Sequence, residues 1–270
     1  MRIVTLNLNG IRSAGAKGFF QWAASTKADV VCLQEVRAQT EHVADAAFAL
    51  QGYRSYFHLS KVKKAYSGVS VYSRHTPDRV VEGFGFGNID AEGRYLQLDF
   101  GALSVASVYL PSGSSGPERQ AVKNTLLEAL NGWLDAKRND GRQHILCGDF
   151  NIAHRNVDIK NWRGNQKNSG FLPHERAWIE SQLQAGWVDT HRVLAGADTE
   201  TYTWWSNRGQ AYAKNVGWRI DFQLASPGLR AHLKHATVYM TERFSDHAPL
   251  IVDYLPSFKA LRAGLPQALT

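Results

Sequence analysis

Asp149 and Asn151 stand two residues apart at the end of the run QHILCGDFN, residues 143–151. Ile145, Leu146 and Cys147 predict a buried strand, and Gly148 lets the backbone turn without steric cost. Beyond it, a carboxylate and a carboxamide project together and can hold a water and a metal ion. Three other apolar runs carry groups of the same kind at their ends. VVCLQE finishes on Glu35, GWRIDF carries Asp221, and SDHAPLIVDY opens on Asp246 and His247. Alone, Glu35 reads as well as a solvated strand-terminal carboxylate; four strand ends offering Glu, Asp, Asp and Asp-His imply one catalytic centre. A hard cation such as Mg2+ prefers carboxylate and carboxamide oxygens plus water, and needs few protein carboxylates when phosphate supplies the rest. Glu35 and Asp246, with Asn7 nearby, meet that demand. Asp149 beside Asn151 suits the base or orienting group that hydrolysis needs for water. A protonated His247 would donate to a phosphate oxygen as negative charge builds there, and Asp221 is the carboxylate available to keep it charged.

The elements that must position these groups follow from periodicity. Near the N-terminus Ile3, Thr5 and Asn7 alternate with Val4, Leu6 and Leu8, the period of a strand. Helices are expected over residues 15–26 and 40–50, then from Pro117 to about Lys137, and over 173–184. In the third, Ser115 to Glu118 resembles a capping box, and Val122, Leu126, Leu130 and Trp133 mark the core face. Strands are expected over 29–35, 69–73, 95–100, 102–110 and 250–254. Tyr109, next to a Pro-Ser-Gly turn, is either a plain sheet aromatic or a phenol that reaches a phosphate. The lysines at 61, 63 and 64 are either a solvated surface or a basic loop beside the site. Residues 153–171 form the longest polar stretch, rich in asparagine and basic side chains, and a functional loop is expected there. Trp204, Trp205 and Trp218 lie among Arg208, Lys214 and Arg219, the mixture found on surfaces that stack or wedge bases; one or two of these rings should be core.

With 270 residues, 44% hydrophobic and 20% charged, the chain suits a soluble globular protein able to bury about three quarters of its unfolded surface. One domain over 1–270 is expected, the last ~15 residues being a tail or short helix. No apolar run is long enough for a membrane span, and MRIVTLNLNG has no signal core, so a cytoplasmic protein is expected. Cys32 and Cys147 sit in apolar strand-like runs and read as buried, reduced thiols. A net charge of +7 and a pI near 9.4 point toward an anionic partner, though many basic proteins bind no nucleic acid.

The motifs NLNGIR, LQE, YSGVSVYSR, DAEGRY, VYLPSG, GDFNIAH, NSGFLPHERAW, YTWWS, NVGWRIDF and SDHAPL occur in that order. Over about residues 1–255 the chain thereby resembles the exonuclease III type of apurinic/apyrimidinic endonucleases, in the endonuclease/exonuclease/phosphatase superfamily. The resemblance implies an α/β fold, a four-layer sandwich of two packed mixed β-sheets flanked by α-helices. It implies a metal set of Asn7, Glu35, Asp149, Asn151, Asp246 and His247, holding Mg2+ with Mn2+ as the alternative. It also implies catalytic roles for Tyr109, Asp149, Asn151, Asp221 and His247, and DNA contacts by Asn9, Arg94, Asn165, Asn168, Gly170, Trp204 and Trp218. The reaction implied is cleavage 5′ to an abasic site in duplex DNA, with variable 3′-5′ exonuclease and 3′ phosphodiesterase or phosphatase activity. The expected partner is duplex DNA with abasic sites or blocked 3′ ends, met by a bacterial-type monomer on the nucleoid. Gly170, by leaving room for a flipped sugar, is expected to favour endonuclease over exonuclease. Trp162 and Phe222 depart from the pattern, where proline and tyrosine are common. A phosphorylated lipid or inositol substrate is the closer rival, and a silent DNA-binding module the more distant one.

Overall fold

The alternation at the N-terminus sets the architecture. In the computed structural model, which describes residues 1–264, strand β1 (Arg2–Asn7) turns Ile3 between two sheets and Val4 and Leu6 outward against helices. There follow α1 (Ile11–Ala16), α2 (Phe19–Ser25), β2 (Val30–Gln34), α3 (Thr40–Val43), β3 (Arg54–His58), β4 (Val69–Ser73), β5 (Arg79–Glu82), β6 (Tyr95–Phe100) and β7 (Leu103–Tyr109). The second half carries α4 (Pro117–Arg138), β8 (Gln143–Asp149), α5 (Trp162–Asn165), α6 (Pro173–Gln184), β9 (Val188–Asp189), α7 (Thr190–Ala195), β10 (Trp204–Trp205), β11 (Gly217–Trp218), β12 (Asp221–Ala225), β13 (Leu233–Val238), β14 (Leu250–Tyr254) and α8 (Phe258–Ala263).

Two six-stranded mixed sheets result, ordered β13-β14-β1-β2-β4-β3 and β5-β6-β7-β8-β12-β9, while β10 and β11 pair as a small ribbon. Side chains of both sheets, among them Val30, Cys32, Val71, Leu98, Val105 and Cys147, fill the space between them. The outer face of the first sheet packs on α1 and α2, and that of the second on α4 and α6. This is the expected four-layer sandwich. Toward one end the filling turns polar, and its polar groups are paired rather than orphaned. Gln34 Nε2 donates to Ser107 Oγ at 2.8 Å, Ser107 Oγ donates to the Leu33 carbonyl at 2.8 Å, and Gln223 Nε2 donates to the Ile3 carbonyl at 3.1 Å. These bonds tie the sheets together directly below the site. Cys32 and Cys147 are buried free thiols, as expected.

Several local expectations give way. The helix expected over 15–26 is two short ones, broken at Gly18 with φ 85°. The one expected over 40–50 ends at Val43, where Asp45 instead caps a 3-10 turn by accepting from Ala47 N at 2.8 Å. No capping box forms at Ser115; Gly116 precedes the helix and Pro117 starts it. Val122 is exposed, because the buried face of α4 runs through Lys123, Leu126, Leu127, Leu130 and Leu134. The C-terminal expectation resolves to α8, whose Phe258 and Leu261 close the inter-sheet core; residues 265–270 lie outside the described part.

Candidate active site

Strand direction brings the chemistry together. β1 runs parallel to β2 and β7 parallel to β8, so Asn7, Glu35, Tyr109 and Asp149 come at or just past four C-terminal ends. β12 and β14 run antiparallel to β8 and β1, so Asp221 and the Asp246-His247 pair arrive at the same edge from the starts of their strands. Asp221 stands directly opposite Asp149 in the register, and so does Tyr109 from the other side. The backbone there is strained. Asn9, Glu35, Arg37 and Asn151 have φ between 46° and 51°, four of the eight non-glycine residues with positive φ among the described residues. Such conformations persist where the surroundings over-determine them. Here Asn9 N–H donates to Asn7 Oδ1 at 3.0 Å, Gly10 N–H to the Glu35 carbonyl at 2.8 Å, and Asn151 N–H to Asp149 Oδ1 at 2.8 Å.

The polar groups form one chain of contacts. His247 Nδ1 lies 2.9 Å from Asp221 Oδ2 and its Nε2 lies 3.9 Å from Asp149 Oδ2. Burial opposes protonation of this imidazole, but Asp221, Asp149 and Asp246 outweigh it and push its pKa up to about 10, so it is a cation at neutral pH. Burial, then Asp221 and Glu35, raise Asp149 to about 7 against the pull of His247. Asn7 Nδ2 donates to Glu35 Oε1 at 2.8 Å and to Asp149 Oδ2 at 2.9 Å. Asn7 Oδ1 accepts from Asn9 N–H, so its carboxamide orients the two carboxylates through Nδ2 and keeps one oxygen lone pair in reserve. Asn151 Nδ2 bonds the Leu110 carbonyl at 2.9 Å and Asp149 Oδ2 at 3.2 Å. Asp246 accepts from Asn9 Nδ2 at 2.9 Å and Trp204 Nε1 at 3.1 Å, and these donors with His247 hold its pKa low against burial. The Tyr109 phenol is pushed well up by burial and then by Glu35, so it stays a hydrogen-bond donor.

A cleft of about 840 Å³ opens above these groups. Trp204 and Trp218, edge to face at 6.0 Å, form one side, and Asn168, Ser169 and Gly170 another. Trp205 is the core ring of the three tryptophans, buried with Tyr202 and Ala248. Gly170 has φ 90°, and a Cβ there would meet the Asn151 carbonyl at 3.0 Å and the Trp218 ring at 3.1 Å. Asn165 stays outside the cleft: its Nδ2 donates to the Asn161 carbonyl, and its Oδ1 accepts from Asn168 Nδ2 at 2.8 Å, so it supports Asn168. Arg94 also departs from expectation. It is 2% exposed, with Nε 2.6 Å from Glu92, Nη2 3.0 Å from the Tyr66 hydroxyl and its guanidinium 4.6 Å from the centre of the Tyr109 ring. Arg119 completes this group on Glu92, whose pKa Arg119 and Arg94 lower to about 2 against burial. Arg94 thus braces Tyr109 and has no face left for DNA. Sequence reasoning missed Arg37 and Lys167, which line the cleft together with the anticipated Arg208; Arg37 pairs with Glu35. Only their positive charge near a motif could have flagged them.

Ligand atoms of Glu35, Asp149 and His247 lie within 4.8 Å of one another. Glu35, Asp149, Asp221 and Asp246 converge with one imidazolium and one partly exposed guanidinium to balance them, and Asp221 Oδ1 is buried without a partner. Such a surplus of hard oxygen donors is the kind that a divalent cation neutralises.

Known proteins match this chain along its length. The profile of the Endonuclease/Exonuclease/phosphatase family matches residues 4–247. An exodeoxyribonuclease of Bacillus subtilis is 35% identical over 93% of this chain and 98% of its own, and the DNA repair nuclease APEX1 of Danio rerio is 34% identical over 93% and 81%. Among solved structures, an AP endonuclease from Archaeoglobus fulgidus superposes with a TM-score of 0.85 at 26% identity, over 94% of this chain and 99% of that one. A 3′ phosphatase from Neisseria, solved with a product DNA hairpin, gives the same TM-score, identity and coverage.

Proposed function

Because this chain belongs to the endonuclease/exonuclease/phosphatase family, in its exonuclease III type of abasic-site nucleases, we propose that it is a Mg2+-dependent DNA repair nuclease that hydrolyses the phosphodiester 5′ to abasic sites in duplex DNA. The 3′-5′ exonuclease accompanies it in lesser share, and 3′ phosphodiesterase or phosphatase activity in variable proportion. The observation that carries this is the buried Asp149-His247-Asp221 row at the floor of a cleft walled by Trp204, Trp218, Asn168 and Gly170. A hydrolytic floor alone would serve a lipid or inositol phosphate; tryptophan and asparagine walls favour a stacked polymer.

Asp149 takes the proton of the attacking water, its raised pKa matching a base that works near neutrality. Asn151, fixed against Asp149, orients that water. The His247 imidazolium, kept charged and aimed by Asp221, donates to the phosphate oxygen on which charge develops, and the Tyr109 phenol donates to the same group. Glu35 and Asp246 are the carboxylates that would hold the cation, with Asp149 and Asn151 offering oxygens for a second place; His247, protonated on both nitrogens, has no lone pair to add to it. When bound, the cation supplies charge neutralisation at the phosphate. Asn9, Asn168, Gly170, Trp204 and Trp218 meet the DNA, and Arg37, Lys167 and Arg208 extend that surface. We further propose a cytoplasmic, bacterial-type protein that acts as a monomer on nucleoid DNA; two buried free thiols and a bacterial relative support the compartment.

The test is the chemistry of the nick in a duplex oligonucleotide with one internal abasic analogue. Hydrolysis on the 5′ side leaves a 3′ hydroxyl that a polymerase extends at once. A 3′ phosphate or a sugar fragment on that strand would overturn the assignment.

A further inference from the structure

Behind the wall made by Asn151 and Gly170 lies an ion pair that the hydrolytic steps do not use. Lys123 of α4 and Glu175 of α6 are both fully buried, with Nζ 2.6 Å from Oε1. Their remaining capacity points at main chain. Lys123 Nζ donates to the Asn151 carbonyl at 2.8 Å, while Glu175 Oε2 accepts from Gly170 N–H at 2.7 Å and Leu172 N–H at 3.1 Å. Gln120 Nε2 adds a bond to Glu175 Oε1 at 3.0 Å.

The backbone held in this way is uncommon. Asn151 takes φ 51°, a strained value for a residue with a side chain, and Gly170 takes φ 90°, open to glycine; the two strands of chain are also tied by Ala153 N–H donating to the Gly170 carbonyl at 2.8 Å. Two charges removed from water are a poor source of stability, since well-packed apolar residues of similar volume often do as well or better. An apolar pair, however, cannot satisfy a carbonyl and two amides at once. The pair therefore does something for the wall that packing alone would not.

We propose that Lys123 and Glu175 are positioning residues that hold Asn151 and the Gly170 wall in place for hydrolysis, an inference resting on the nuclease function proposed above. Neither touches substrate. Moving the Asn151 main chain carries its carboxamide away from Asp149, and a displacement of about 1 Å can cost roughly 100-fold in rate.

The experiment compares thermal melting, kcat and KM on the abasic duplex for the wild-type chain, Lys123→Arg and the apolar double variant Lys123→Met/Glu175→Leu. The double variant leaves the Asn151 carbonyl and the Gly170 and Leu172 amides without their side-chain partners, so it is expected to melt below wild type and, where folded, to lose at least about tenfold in kcat with KM nearly unchanged, while Lys123→Arg keeps most of its turnover. Wild-type kcat in a stable double variant overturns the proposal. If the double variant is unfolded at the assay temperature, Glu175→Gln decides: a severalfold loss in kcat at unchanged KM supports the proposal, and unchanged kcat overturns it. Failure of the wild-type chain itself to cut would contradict the nuclease function instead, before any variant is read.

Discussion

Asp149 is asked to be both buried and charged. Its folded pKa lies near 7 against an ordinary value of 3.8, through burial and the carboxylates of Asp221 and Glu35. A raised folded pKa means that this group's contribution to stability is full below about pH 4 and is lost as the pH rises through 7. In EDTA at pH 8, Asp149→Asn is therefore expected to raise the melting temperature by roughly 5 °C, with little change at pH 4. The same variant should lose at least about a thousandfold in turnover, and a melt that is unchanged at pH 8 would argue against the buried charge. Tyr109 carries a second test. Removing its brace with Arg94→Ala is expected to lower kcat about tenfold, approaching the effect of Tyr109→Phe, with DNA affinity in EDTA nearly intact; a loss confined to affinity would restore Arg94 to the DNA surface. Glu35, Asp149, Asp221, Asp246 and His247 were legible because each bounds an apolar run. The part played by Arg94 was not, since Glu92 is two residues away but Tyr66 and Arg119 are far off in the chain and join it only through the fold.

Gly170 is where an element's path matters more than a side chain. A histidine there must accept φ near 90° and press on the Trp218 ring and the Asn151 carbonyl. Gly170→His is expected to lower internal abasic cleavage severalfold more than 3′-end trimming, and an unchanged ratio of the two would remove the wall from the account. Among the elements, the central strands were readable because they are buried on both faces and alternate or run apolar. The edge strands β3, β5 and β13 were not, because their partly exposed faces leave no clean period. The helix over 40–50 failed for the converse reason: Ala-rich propensity favoured it, but its residues bury little and Asp45 offers a competing turn. The pairing of Asp221 with His247 could be guessed from residue types, yet the antiparallel register that creates it belongs to the assembled sheet.

At the scale of the molecule, two sheets bring six strand termini to one edge, and loops between them supply a basic rim. The net charge of +7 does not by itself locate a DNA path; at the cleft the rim counts through Arg37, Lys167 and Arg208. Three phosphate contacts imply a fall in DNA affinity of roughly 40-fold between 50 and 200 mM salt, and Arg208→Ala should flatten the log-log slope by about one. An unaltered slope would place Arg208 off the DNA path. The composition announced an anionic partner without locating it, and only the convergence of loops distant in sequence does so. The central claim is that this edge performs cation-assisted hydrolysis at an abasic site. It is tested most directly by incubating a duplex bearing one internal abasic analogue with wild-type protein in Mg2+, with wild type in EDTA, and with Asp149→Asn in Mg2+. A single nick 5′ to the lesion is expected in the first reaction and none in the other two. A nick that persists in EDTA or in Asp149→Asn would contradict it.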